Sequence, residues 1–358
     1  MKPHTKNICL FNSCKSWGGG EKWHYETAFR LTEKGYSVKV CCRPNGDIFK
    51  RLKDSRIKIH KFKIYNLSFL DIFLFIRLFI FFKNEKIYTL ILGLPSDVKA
   101  VAIAAKLAGV KNIIYRRGTP LPVHNNILNR FIFKKVISCI IANSDEVKKR
   151  ILENNSSIIS ESKIKILYNG IQLNSFDLHS NIKEEVLIGN AGRLSKEKGH
   201  KFLIDLAQEL NKENLNFKIL IAGKGPLRRK LEEEALSKNV TKQIIFLDFI
   251  EDIDSFLNNI DIFVLPSLHE GSANILIEAM AKAKPVVAFN ISSLPEIISH
   301  GKTGYLAEFG NIQQMKKYVC DLAKDVELRK KIGMNAYEDI SSRFDANIQF
   351  EKLLTLLN

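Results

Sequence analysis

No CxxC pair occurs in this 358-residue chain, and none of its six cysteines stands at metal-ligand spacing from another cysteine or a histidine. Three of the six lie in apolar, strand-like runs, where cysteine serves as a small core residue. That usage predicts a reducing compartment and no disulfide framework. The opening stretch MKPHTKNICLFNS lacks the apolar h-region of a secretory signal, which predicts a cytoplasmic protein. A membrane span is also missing. The nearest approach is LSFLDIFLFIRLFIFF, residues 67–82, which is short for a span and is interrupted by Asp71 and Arg77. It reads as a buried helix or as an interfacial one, since Lys61, Lys63, Lys83 and Lys86 flank its aromatics; two faces of one helix can serve both ends. Internal repeats and low-complexity tracts are absent. Nucleotide fingerprints are incomplete too. Gly223-Lys224-Gly225 needs a third glycine where Arg228 stands, and HGKTG needs one where Glu296 stands. Asp252 and Asp254 could pass for a metal-binding pair, but their polar, helix-like surroundings predict a solvated face.

What is present in excess is positive charge. The formal net charge is +17, from 55 Lys+Arg and 38 Asp+Glu. Residues 1–178 hold 31 of the basic and 13 of the acidic residues, so the second half is close to neutral. So one-sided a distribution points to an anionic partner for the first half, a nucleic acid or an anionic membrane. Apolar content of 46% is ample for packed cores, and the length suggests two domains.

Short β-branched runs alternate with helix-length segments throughout. Strands are expected at Ile8–Asn12, Ser37–Cys42, Ile57–Ile64, Tyr88–Gly93, Asn112–Tyr115, Cys139–Asn143 and Ile164–Tyr168, then at Val186–Ala191, Phe217–Ala222, Ile244–Leu247, Ile262–Pro266 and Pro285–Phe289. This alternation predicts α/β architecture: two doubly wound parallel sheets, joined by a polar linker over residues 169–185 and facing a cleft. Ligands of such sheets bind beyond the carboxyl ends of the strands.

Strand ends therefore carry the candidate chemistry. After the first strand, Gly18-Gly19-Gly20 precedes a helix expected to start near Glu21, an arrangement that lets backbone N–H groups approach phosphate. After Val186–Ala191 come Arg193 and Lys198, a fork and a point charge suited to a diphosphate. The stretch LPSLHEGSANILIEAM, residues 265–280, sets Glu270 in a loop and Glu278 in a helix running to about Ala283, capped by Ser272 or Asn274. Two carboxylates separated by a phosphate-facing loop suit a nucleotide sugar, one holding sugar hydroxyls and the other a ribose diol.

The pattern Glu270…Glu278 resembles the E-x7-E signature of retaining GT-B glycosyltransferases of the family-4 type, the glycosyl transferases group 1. GRLSKEKG, IAGKGPLRRKLEEEA, VLPSLHEGSANILIEAMAKAKPVVA and LPEIISHGKTGYL are similar to that family in the same order, and the early glycine run and ILYNGI add to the likeness. The resemblance implies a GT-B fold of two Rossmann-like domains, residues 1–178 and 179–342, with a final helix, 343–358, crossing back onto the first. It implies that Glu270 contacts the donor sugar and Glu278 the ribose, that Arg193 and Lys198 neutralise the diphosphate, and that N–H groups of Gly19, Gly20, Gly271, Ser272, Ala273, Asn274 and Ile275 complete the cradle. Phe249 and Ile250 would wall the base. Where many members carry a cleft histidine, this chain reads IIYRRGTPLPVHNN, so Arg116, Arg117 and His124 become candidates for an acceptor or phosphate.

The resulting expectation is a metal-independent, cofactor-free transferase that moves a sugar, with retention, from a nucleotide diphosphate donor. The acceptor would be a cell-surface glycan or a lipid-linked one, for lipopolysaccharide core, capsule or a similar polysaccharide, and no specific nucleic acid is expected. The basic first domain would rest peripherally on the anionic inner face of the membrane. An epimerase or a glycogen-type synthase would share the fold. A nicotinamide dehydrogenase is disfavoured by the failed fingerprint, and a purely membrane- or nucleic-acid-binding module leaves Glu270, Glu278, Arg193 and Lys198 unexplained.

Overall fold

A computed structural model describes residues 6–119, 123–153, 155–173 and 185–357. Most of the expected linker, 174–184, lies outside them. The chain divides into two compact units, residues 1–169 with 350–358, and residues 170–349. The first boundary thus falls earlier than the expected 178. The return falls later than the expected 343, inside the helix Ala346–Leu356.

The first unit is built on seven strands: β1 (Asn7–Asn12), β2 (Ser37–Cys42), β3 (Lys58–Lys61), β4 (Ile87–Leu92), β5 (Asn112–Arg117), β6 (Cys139–Ala142) and β7 (Ile164–Ile166). All pairings are parallel, in the order β3-β2-β1-β4-β5-β6-β7. A sheet covered by helices on both faces buries every residue of its central strands. This is why β1 and β4 carry consecutive apolar residues, Ile8 to Phe11 and Leu90 to Leu92, instead of alternating ones, while β2 keeps Lys39 among its apolar residues. One face packs on the helices Ile72–Asn84 and Pro95–Leu107, the other on Gly19–Glu33 and the chain's last helix, which lends Phe350, Leu353 and Leu357. Asn112 Nδ2 donates to Leu356 O at 2.7 Å, and Thr89 Oγ1 to Leu357 O at 3.2 Å, fixing that helix's end against the sheet. The third expected strand, 57–64, shortens to four residues because it pairs with β2 alone, at the sheet edge.

The second unit has six strands: β8 (Val186–Ala191), β9 (Phe217–Ala222), β10 (Ile244–Leu247), β11 (Ile262–Leu265), β12 (Val286–Phe289) and β13 (Tyr305–Ala307), again all parallel, in the order β10-β9-β8-β11-β12-β13. The strand β13 was not expected from sequence: three residues give too short a period to register, and pairing with β12 defines it. In both sheets the winding reverses once, between β1 and β4 and between β8 and β11. At such a switch point neighbouring loops run to opposite faces and leave a crevice beyond the strand ends.

Candidate functional site

In the second unit the loops after β8, β9 and β11 are knitted together at the switch point. Gly199 adopts φ 64°, and a Cβ there would lie 1.9 Å from Pro266 O. Gly223 adopts φ 142°, and its Cβ would lie 1.9 Å from Gly192 O. Only glycine permits both the backbone angles and the approach. Leu194 N donates to Lys224 O at 3.0 Å, and Leu268 N to Glu197 O at 2.8 Å, so the loop bearing Arg193 and Lys198 is bonded to the loops on either side.

That lacing brings Lys198 to Glu270. Lys198 Nζ donates to Glu270 Oε1 at 2.7 Å across 72 residues of sequence. The buried Ser267 hydroxyl donates to the same oxygen at 2.7 Å, and Ser293 Oγ donates to the Glu270 carbonyl at 3.3 Å. The carboxylate is 7% exposed and is held by a cation and a hydroxyl, so it is fixed in place as an anion with its remaining acceptor capacity uncommitted by these bonds. Sequence reading treated Lys198 and Glu270 separately and missed both serines, although Ser267 stands three residues before Glu270.

Beyond Glu270 the chain does not form the expected cap. Ala273 precedes the helix Asn274–Met280 in the left-handed region (φ 41°, ψ 47°), and no side chain caps that helix. The Ser272 hydroxyl donates instead to Asn274 Oδ1 at 2.8 Å. A non-glycine residue held at positive φ stores strain, and such strain concentrates where function fixes the backbone. The helix ends at Met280, short of the expected Ala283, which itself adopts φ 52°. Glu278 and Ile275 are half-buried on this helix, Gly271 is half-buried before it, and Arg193 is exposed. Phe249 and Ile250 follow β10, and Phe249 is 68% exposed. His200, beside Lys198, is buried, and burial first and Lys198 second push its pKa down to about 4, so it is neutral at neutral pH.

The first unit gathers a second polar group at its own switch point. The helix Gly19–Glu33 begins two residues earlier than expected, so Gly19 and Gly20 form its first turn and Gly18 precedes it. Ser13, just past β1, donates from its backbone N–H to Asp97 Oδ2 at 3.1 Å and pairs through its hydroxyl with Asp97 Oδ1 at 2.5 Å. Asp97 has no exposed surface, and burial raises its pKa to about 7 against the pull of those bonds. His24 Nδ1 donates to Gly20 O at 2.9 Å, and burial followed by the charge of Arg116 lowers its pKa to about 3. The bond to a carbonyl therefore assigns the Nδ1–H tautomer.

Arg116 and Arg117, read together in the sequence, part company here. Successive residues of a strand point to opposite faces. Arg116 is buried, lies 4.6 Å over the Trp23 ring and donates to Asn169 Oδ1 at 2.6 Å; burial, opposed by Glu21, brings its pKa down to about 10. Arg117 lies on the other face with Tyr115, donating to its hydroxyl at 3.2 Å. It lines a cavity of about 390 Å³ with His124, Lys99, Pro95, Val98 and Phe133. The structure thus joins His124 to Arg117 and separates both from Arg116. Asp252 and Asp254 form no pair: Asp252 caps the helix Ile253–Asn259, and Lys282 Nζ lies 3.3 Å from Asp254. Among the described residues no group of three or more His, Cys, Asp or Glu could hold a metal ion.

Two parallel-sheet Rossmann-like units, each with its polar group at the switch point, define a GT-B type of fold. The solved structures agree. Anabaena HepE in complex with UDP superposes with a TM-score of 0.87 at 20% identity over 99% of each chain. A glycosyltransferase from Rickettsia africae ESF-5 gives 0.88 at 19% identity over 99% of this chain and 98% of that one. The model for glycosyl transferases group 1 matches residues 174–339, and the glycosyltransferase family 4 model matches residues 17–175. Between them these matches take in residues 17–339, and the chain belongs to the group 1 glycosyltransferases. The Staphylococcus aureus capsular polysaccharide biosynthesis glycosyltransferase CapM is 30% identical over 233 residues, which is 61% of either chain, so the match spans less than two thirds of that relative.

Proposed function

We propose that this protein is a retaining glycosyltransferase that uses a nucleotide diphosphate sugar, a uridine one first among the candidates, to extend a surface polysaccharide. The observation that carries the reading is the Lys198–Glu270–Ser267 cluster at the second switch point. Breaking the bond between an anomeric carbon and a diphosphate leaves an oxocarbenium-like sugar and a leaving group with added negative charge. A preorganised carboxylate beside the sugar and fixed cations beside the phosphates stabilise those charges without reorganisation. In this reading Glu270 faces the sugar, Lys198 and Arg193 the diphosphate, N–H groups of 271–275 the phosphate oxygens, Glu278 the ribose, and Phe249 with Ile250 the base. No step in it calls on a metal.

The acceptor is assigned to the Arg117–His124 cavity of the first unit, whose cations and apolar walls suit a glycan carried on a phosphorylated lipid. The likeness to CapM, a capsular polysaccharide biosynthesis glycosyltransferase, and to HepE, solved in complex with UDP, supports this reading. The basic first unit is assigned to an anionic inner leaflet, in keeping with its charge.

The test is a thermal-shift series with UDP, GDP, ADP and CMP, with and without EDTA, followed by turnover of the Glu270→Ala variant. A ligand that binds the folded state raises its midpoint by mass action. A shift with UDP that EDTA leaves in place, and a loss of about 10²–10³-fold in turnover by a variant that still binds UDP, are expected. Near-normal turnover by Glu270→Ala overturns the assignment.

A further inference from the structure

The helix Ile72–Asn84 is apolar on two faces. Leu78, Phe81 and Phe82 pack into the core of the first unit. On the opposite side Ile72, Phe73, Ile76 and Ile80 are exposed, Phe73 by 82%, and the preceding turn adds Leu67 and Leu70 at 70% and 71%. Spacing of four residues sets 72, 76 and 80 in one stripe. A contiguous row of large apolar side chains in solvent is rare on a soluble surface unless something covers it.

Charge identifies the cover. Between Arg43 and Lys86 stand 11 Lys and Arg against 4 Asp and Glu. The cations rim the stripe: Arg43 and Lys63 lie over the exposed Tyr65 ring at 4.9 and 5.6 Å, Arg77 lies over Phe62 at 4.8 Å, and Lys83 lies over Phe79 at 5.7 Å. All four acids are engaged: Asp47 pairs with Lys50 at 3.0 Å, and Asp54 lies 3.9 Å from Lys53. Asp71 caps the helix by accepting from Leu74 N at 3.0 Å, and Glu85 pairs with Lys58 at 2.6 Å. A second copy docked through this face would bring two cationic rims together. A surface with apolar depth and negative headgroups satisfies both the stripe and the rim. The helix has 13 residues, about 20 Å at 1.5 Å each. That is too short to cross a bilayer, so its geometry is that of a helix lying in the interface.

We infer that the outer face of the helix Ile72–Asn84, with the turn Leu67–Leu70, is the surface by which the first unit inserts into an anionic phospholipid leaflet. This deepens the membrane part of the proposed function and does not depend on which sugar is transferred.

The experiment is flotation of the full chain with vesicles of phosphatidylcholine alone or mixed with phosphatidylglycerol, at low and high salt. Binding to the anionic vesicles, weakened by salt and small on phosphatidylcholine alone, is the expected result. The variant Leu70→Ser/Phe73→Ser/Ile76→Ser should lower the partition coefficient about tenfold or more. Lys63→Gln/Lys83→Gln should lower it about tenfold on anionic vesicles only. Both variants change exposed residues and keep the wild-type UDP thermal shift. No flotation, or flotation unchanged in the triple variant, overturns the inference. So does a dimer in sedimentation velocity that the triple variant dissolves while vesicles fail to bind. A missing UDP shift in a chain that still floats would sink the donor reading and leave the membrane surface standing.

Discussion

Ser267→Ala removes a hydroxyl with no exposed surface that donates to Glu270 Oε1 at 2.7 Å. A hydrogen bond to a charged group contributes about 1.5–3 kcal/mol. Lys198 Nζ remains on the same oxygen at 2.7 Å. The carboxylate therefore keeps a partner, which places the loss at about 2 kcal/mol, below the top of that range. A unit the size of 170–349 loses about 2–4 °C of Tm per kcal/mol, so the midpoint of that unit should fall by about 4–8 °C. Charge is the heart of the argument, and a second background isolates it. In Glu270→Gln the same hydroxyl faces a neutral amide oxygen, and its removal should cost only about 1 kcal/mol. The coupling between the two positions is then about 1 kcal/mol, measured by urea or thermal unfolding of the four proteins of the cycle. Turnover of a UDP-sugar should fall in Ser267→Ala as well, because the carboxylate loses one of its two side-chain anchors. A Tm change under about 1 °C, or equal losses in the two backgrounds, would show that the hydroxyl does not hold Glu270 as an anion.

Two further outcomes follow from buried geometry. Gly199→Ala meets Pro266 O at 1.9 Å from a left-handed backbone, so strain and overpacking together should cost about 2–6 kcal/mol. Gly35→Ala, at φ 87° with nothing within 4 Å, should cost only the strain of about 1–2 kcal/mol, and equal losses in the pair would refute the packing part. Asp97, raised from 3.8 to about 7 by burial, sets a pH dependence. Below the unfolded value both states hold the proton. Between that value and about 7 the unfolded chain releases it while the folded chain keeps it, so stability falls as pH rises through this window and is flat above it. Asp97→Asn mimics the protonated form and should gain on the wild type between acid and neutral pH; parallel stability curves would rule this out.

Much of the fold was legible because central strands of a covered parallel sheet are buried on both faces and spell themselves as apolar runs. Each run expected from sequence forms a strand, and glycines and charges just past β1, β8 and β9 mark loops at strand ends. What failed was local. The cap of the helix at Asn274 was misread because Ala273 takes a left-handed backbone that alanine rarely adopts, which composition does not foretell. The helix start at Gly19 moved because three glycines carry no helix signal of their own.

The sequence by itself determined the two α/β units, the loops that carry the candidate chemistry and the membership of the group 1 glycosyltransferases, since all of these are written in periodicity and contiguous motifs. Tertiary structure alone decided that Lys198 reaches Glu270 across 72 residues, that Ser267 shares the same oxygen, and that Arg116 goes to Trp23 while Arg117 goes to the His124 cavity. It alone showed which face of the helix Ile72–Asn84 the core leaves uncovered. Periodicity constrains a residue relative to its own element. Partners and protonation depend on which elements pack together and how much water they exclude.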